Sequence, residues 1–125
     1  IPGHLGVELD VRKLDDVDRA KLAQWIAAYK LHRDRLHHGK IWTGEAGDGL
    51  LWQAHGSVEA LLLFVTRIDP QTQRHAPVVK LPMLDAGKRY RVNDDVIDGA
   101  WLVAHGLVLP PMKAESCHLV RLTAL

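Results

Sequence analysis

Between residues 14 and 39 the apolar side chains recur at helical spacing, whereas from residue 40 onward they recur at every second position. The chain therefore reads as one long helix followed by strands. Leu22, Ile26, Tyr29, Arg33 and Leu36 mark one helical stripe, widened by Ala23 and Trp25. Asp15 is a suitable N-cap, and Asp16 and Asp18 put carboxylates in the first turn, where the helix dipole favours them. Gly39, following His37 and His38, offers a C′ stop. The spacing predicts a helix over 16–37, roughly 33 Å long at 1.5 Å per residue, with Leu14 as the N′ residue of a hydrophobic staple. Ala20, Ala27, Ala28 and Leu31 form a second apolar strip off the first stripe, so the helix is built to touch protein on more than one side.

The second half is punctuated by Gly, Pro, Asn and Asp clusters that separate short β-rich runs over 40–44, 48–55, 58–68, 77–83, 88–93, 100–103, 105–110 and 115–124. His55-Gly56-Ser57 and Asp85-Ala86-Gly87 read as turns, Asp94-Asp95 as a turn after Asn93, and Asp69-Pro70-Gln71 as the start of a longer loop. In the run 58–68, Ala60, Leu62 and Phe64 share one face and Leu61, Leu63 and Val65 the other, the pattern of a central strand covered on both sides. In the run 88–92, Tyr90 and Val92 alternate with Arg89 and Arg91, as in a half-exposed strand. The predicted fold is mainly β: an antiparallel β-sandwich of about eight strands preceded by one long amphipathic α-helix.

Composition narrows the functional classes. Sixteen basic against fifteen acidic residues give a net charge of +1 with no extended Lys/Arg block, so no electrostatic footprint for nucleic acid is present. No apolar run approaches the ~20 residues needed to span a bilayer. The single cysteine, Cys117, excludes an intrachain disulfide, leans toward a reducing, cytoplasmic compartment, and is expected to be a small core side chain on the last strand.

The run Gly3-His4-Leu5-Gly6-Val7-Glu8-Leu9-Asp10, then Arg12-Lys13-Leu14 and the helix containing Trp25-Ile26-Ala27-Ala28-Tyr29-Lys30, resembles the C-terminal part of glycoside hydrolase family 36 alpha-galactosidases. The similarity continues in order through Leu36-His37-His38-Gly39-Lys40, Glu59-Ala60-Leu61-Leu62-Leu63-Phe64, Tyr90-Arg91-Val92 and Gly106-Leu107-Val108-Leu109-Pro110. The resemblance implies that residues 1–39 are the end of a catalytic (β/α)8 barrel, including its last helix, and that residues 40–125 are a C-terminal antiparallel β domain. It also implies a parent enzyme that cleaves terminal α-galactosides with a pair of aspartates and retention of configuration. A retaining pair stands about 5 to 5.5 Å apart. Both family aspartates would lie upstream, so no catalytic residue, metal or cofactor is expected in this stretch, and the expected partner is the barrel of the parent chain.

Other chemistry is weaker. In an extended segment Glu8 and Asp10 would be about 6.6 Å apart on one face, but a strand-end carboxylate and a turn residue before Arg12 explain them better. Asp15, Asp16 and Asp18 are explained by helix capping. The eight histidines lack ligand spacing: His32 and His37 point apart on a helix, adjacent His37 and His38 do not both face one ion, and His118 points away from Cys117 on a strand. The rival chemistry is aromatic. Trp42 and Trp52 flank a loop over 44–49 and are the first candidates for sugar contact, ahead of Trp101 and Tyr90, although burial is the ordinary fate of a strand tryptophan. The readings to separate are thus a non-catalytic domain of an alpha-galactosidase, a carbohydrate-binding module, and an assembly domain forming a homo-oligomer through the exposed helix face.

Overall fold

A computed structural model of the chain describes residues 8, 10–47, 49–68 and 76–125. The opening segment 1–7, Leu9, Asp48 and the loop begun by Asp69-Pro70-Gln71, with His4 and His75, lie outside them. The chain divides into two compact units, and the division falls between Gly39 and Lys40, where the hydrophobic period changes.

In the first unit a single 3-10 turn, Val11–Lys13, precedes helix α1, Asp16–His38. Asp15 is the N-cap, its carboxylate accepting from the Asp18 backbone N–H at 2.7 Å, which satisfies one of the orphan donors of the first turn. The predicted staple does not form. The N4 position is Arg19, which donates through Nη2 to the Leu14 carbonyl at 2.9 Å and so ties the entry by a hydrogen bond instead of an apolar contact. Gly39 ends the helix, but in extended conformation, φ −76° and ψ 164°, and the chain passes directly into strand β1. A left-handed C′ glycine is therefore not the device used here. Leu22, Ile26, Tyr29 and Leu36 are half-buried, while Arg33, Ala20, Ala27 and Leu31 are exposed, as is Trp25 at 71%. No residue of α1 is fully buried.

The second unit is built on a six-stranded antiparallel sheet in the order β1-β2-β3-β8-β5-β6, with a separate ribbon of β4 and β7. The strands are β1 Lys40–Glu45, β2 Leu50–Ser57, β3 Ala60–Arg67, β4 Val78–Val79, β5 Arg89–Val92, β6 Asp95–Asp98, β7 Leu107–Val108 and β8 Ser116–Ala124. The mainly β, antiparallel organisation behind one long helix is as predicted. Register decides which residues form the core: Ala54 stands opposite Leu63, which stands opposite Val120, and Val92 stands opposite Leu122. These side chains share one face with Leu50, Leu61, Val65 and Tyr90, and Val79, Leu81, Leu84, Leu102, Leu107, Leu109 and Met112 belong to the same buried cluster. Each fully buried aliphatic side chain contributes about 1.5–3 kcal/mol of transfer free energy. Tyr90 is wholly buried, yet its hydroxyl is satisfied, accepting from the Asp85 N–H at 3.0 Å. As the two-sided pattern requires, β3 is central, and Leu62 on its other face is also fully buried.

Two segments differ from expectation. The predicted strand 100–103 is a helix, α2, Gly99–His105. Its burial runs exposed, buried, half-buried, exposed, exposed from Trp101 to His105, without the alternation of a strand. Its first residue has room only for glycine: a Cβ on Gly99 would lie 2.1 Å from the Asp85 carbonyl oxygen. The predicted turn at Asp94-Asp95 sits one residue earlier, at Asn93-Asp94, with Asn93 at φ 53°, and Asp95 opens β6. Similarly, His55-Gly56-Ser57 is the end of β2, and the turn is Val58-Glu59. Gly56, at φ 128°, permits an approach in which a Cβ would come within 2.2 Å of the Ala60 carbonyl oxygen. The expected long strands 77–83 and 105–110 shrink to the two-residue β4 and β7.

Candidate functional site

Of the two acidic residues weighed as an acid/base pair, Asp10 is committed locally. It caps the 3-10 turn, accepting from the Arg12 N–H at 3.1 Å, from Arg12 Nε at 2.8 Å and from Nη2 at 3.1 Å. The two-pronged guanidinium contact, more than the backbone bond, holds the Asp10 carboxyl below the ordinary carboxylate range and raises Arg12. Glu8 is exposed. A carboxylate held ionised beside a cation suits an electrostatic or structural task better than that of a general acid, which needs a raised pKa.

The histidines at the end of α1 are likewise engaged within the helix. Tyr29 Oη and His37 Nε2 are 2.7 Å apart, with the rings edge to face at 5.9 Å, and His38 Nδ1 lies 2.9 Å from Asp34 Oδ1. His55 is wholly buried on the sheet face opposite the core, edge to face with Phe64 at 5.9 Å. Among the described residues no three His, Cys, Asp or Glu side chains gather to hold a metal ion. Cys117, expected in the core, is exposed. Its partner across β3 is Thr66, on the face opposite Val65 and Leu63, so strand parity turns the thiol away from the core and brings His118 toward it.

Trp42 and Trp52 are brought together on one face of the sheet. Trp42 stands opposite Ala54 and Trp52 opposite both Gly44 and Val65, so both project to the core side, where they are half-buried against the main cluster. The Trp52 indole lies across Gly44: a Cβ there would meet the ring at 2.6 Å. The other aromatic candidate differs. Trp101, on α2, is 57% exposed and stacks on His105 with ring centroids 4.0 Å apart and planes tilted by 35°. Sequence reasoning placed Trp101 on a strand and so did not see this pair, although the i,i+4 spacing of Trp101 and His105 is a helical signal. It also missed Arg67, buried at the end of β3 with its partners Leu50 and Ser116 on either side. Nothing in the run before it marks that arginine for burial.

The chain superposes on parts of larger enzymes of known structure. An alpha-galactosidase from Lactobacillus brevis superposes with a TM-score of 0.84 at 20% identity, covering 94% of this chain and 18% of that one. A GH36 alpha-galactosidase from Geobacillus stearothermophilus gives 0.83 at 21% identity, over 94% of this chain and 17% of that one. The galactosidase domain of an alpha-galactosidase-sucrose kinase gives 0.81 at 21%, with the same coverages. The chain thus spans under a fifth of the length of the enzymes it superposes on, and it shares a helix-led β fold with that part of them. Residues 54–122 match the glycosyl hydrolase family 36 C-terminal domain, so the chain belongs to that family. No match was found among curated proteins.

Proposed function

We propose that the chain is a non-catalytic C-terminal domain of an alpha-galactosidase, with residues 40–125 forming the β domain and residues 1–39 the end of a barrel that hydrolyses terminal α-galactosides. The observation that carries this is the family match over residues 54–122. The local commitment of Asp10 to Arg12 supports a non-catalytic role. The exposed strip of α1, with Val17, Trp25 and Leu31 each more than 60% exposed, supports a helix that covers the barrel flank. A surface of that kind ordinarily finds a partner.

The chain is expected to give no turnover of nitrophenyl α-galactoside. Hydrolysis by the chain that is lost in Asp10→Asn or Glu8→Gln would overturn the reading. In the parent enzyme, Leu31→Lys is expected to hasten thermal inactivation without changing KM. An unchanged inactivation rate would remove the supporting role.

The same exposed strip favours a second reading, a homo-oligomer through α1. It requires sedimentation of the chain to depend on concentration and to lose that dependence in Leu31→Lys. A carbohydrate-binding module using Trp42 and Trp52 has less support, since both indoles pack on the core cluster.

A further inference from the structure

The six-stranded sheet ends in β6 on one side and in β1 on the other. Strand β6 is four residues long, carries Asp95 and Asp98 at its ends and leads straight into α2. Strand β1 is six residues long, and its middle, Ile41-Trp42-Thr43-Gly44, is uncharged and free of proline. Edge strands of soluble proteins are ordinarily blunted by charge, proline, a bulge or shortness. Between Lys40 and Glu45 there is no such device, and the register with β2 runs unbroken. Among the described residues no strand pairs with the outer edge of β1.

Hydrogen-bond phase decides which groups that edge presents. The Ile68 N–H donates to the Gly49 carbonyl at 3.1 Å, so the odd-numbered residues of β2 bond to β3 and the even-numbered ones to β1. The bond from the Ala46 N–H to the Leu50 carbonyl, at 2.9 Å, has the same phase. Lys40, Trp42 and Gly44 therefore bond inward to β2, while Ile41, Thr43 and Glu45, all exposed, turn their N–H and C=O groups outward.

We propose that β1 pairs antiparallel with β1 of a second copy of this chain, about a two-fold axis at Thr43, joining the two sheets into one. A continuous sheet keeps each face on its own side, so only residues of the same face stand opposite one another. Centring on Thr43 meets that condition and pairs every outward group: Thr43 with its own mate, and Ile41 of each copy with Glu45 of the other. No like charges are opposed. On the core face the same register sets Trp42 opposite Gly44 of the second copy. The Trp52 indole, reaching from β2, already lies across Gly44. With no Cβ in the way, Trp42 of one copy meets Trp52 of the other across the seam. A centre at Trp42 would instead oppose Trp42 to itself and carry Glu45 past the end of β1. One strand edge with two indole contacts is smaller than a standard interface of about 800 Å² per partner, so the association is weak and reversible. It does not use α1.

Sedimentation velocity and amide hydrogen exchange of the chain at rising concentration test this. Dimers are expected to grow in with concentration, and exchange of the Ile41, Thr43 and Glu45 amides to slow in step. Because residue 43 is its own mate, Thr43→Lys sets two like charges directly opposite, and so does Thr43→Glu. Each is expected to weaken association by about fivefold or more, and an equimolar mixture of the two variants to regain it. Leu31→Lys should leave it unchanged. A monomer at every concentration overturns the proposal, as does exchange at those amides that ignores concentration, whether open or covered by the chain itself. Association kept in both Thr43 variants, or lost in both and not regained on mixing, overturns the pairing at Thr43. Loss in Leu31→Lys overturns it by giving the interface to α1.

Discussion

Helix α1 of the first unit and strand β3 of the second hold their shape by different means. Of the eight residues of β3, five are fully buried; of the 23 residues of α1, none is. The strand is specified by a core that its own unit supplies, through cross-strand neighbours on β2 and β8. The helix relies on local devices: the Asp15 cap, acidic residues in the first turn, the Asp16–Arg19 and Asp18–Lys21 pairs, and the Tyr29–His37 and Asp34–His38 contacts near its end. Surface pairs of this kind are each worth only a fraction of a kcal/mol. One unit thus carries a complete core, while the other displays an apolar strip, and that asymmetry is what a partner for α1 would resolve.

The sharpest way to break the comparison is a matched pair of truncations. Leu63→Ala, at a wholly buried position in β3, is expected to cost about 2–5 kcal/mol in urea unfolding. Leu31→Ala, at a position 72% exposed in α1, should stay within about 0.5 kcal/mol. Equal losses would show that α1 has a buried face in solution and would sink the contrast.

The glycines give the next largest effect. Gly99→Ala forces a Cβ to 2.1 Å from the Asp85 carbonyl oxygen and 2.6 Å from that of Lys88, so α2 and the Leu81–Lys88 segment must part. A loss of about 1–3 kcal/mol is expected. Gly39→Ala should be tolerated by the backbone, because Gly39 sits at φ −76°, where any residue fits. Thermal melts of the two variants side by side decide it, and a Gly39→Ala melt as low as that of Gly99→Ala would contradict the account. For the helix itself, Asp15→Ala removes the bond to the Asp18 N–H and should cost about 1 kcal/mol, read as lost ellipticity at the helix band.

How much of this was legible in the sequence follows from where the deciding contacts lie. The bounds of α1 were predicted to within one residue because its start is set by Asp15, a local cap. Strand β5 was legible because Tyr90 and Val92 alternate with arginines in a half-buried strand. Helix α2 was not: Ala-Trp-Leu-Val-Ala is too short for period 2 and period 3.6 to be told apart. Its first residue, Gly99, packs closely on the carbonyls of Asp85 and Lys88, a contact that no local pattern reveals. The same limit applied to the aromatic candidates. A tryptophan can be placed on a strand from its neighbours, but the face it occupies is set by register, and register turned Trp42 and Trp52 to the core side. Of those candidates, the one that remains largely open, Trp101, lay in the misassigned helix.

The smallest expected effect concerns Glu59, in the β2–β3 turn. Its carboxylate accepts from its own backbone N–H and from Ser57, and pairs with Lys88 at 3.3 Å; these contacts, the backbone one foremost, lower its pKa from the ordinary 4.5. A carboxyl whose pKa is depressed on folding binds fewer protons folded than unfolded across that window, so its stabilisation is fully present above about pH 4.5 and fades as pH falls through the lower folded value. Glu59→Gln should therefore be less stable than the parent sequence near neutrality by a small amount, since the group is exposed and screened, and the difference should close in acid. The unfolding midpoints of the two proteins, followed from neutral pH downward, are the measurement. A gap that widened in acid would reverse the sign and place the stabilising contact on the protonated carboxyl, and a gap unchanged by added salt would take the lysine out of the account and leave only the turn's own hydrogen bonds.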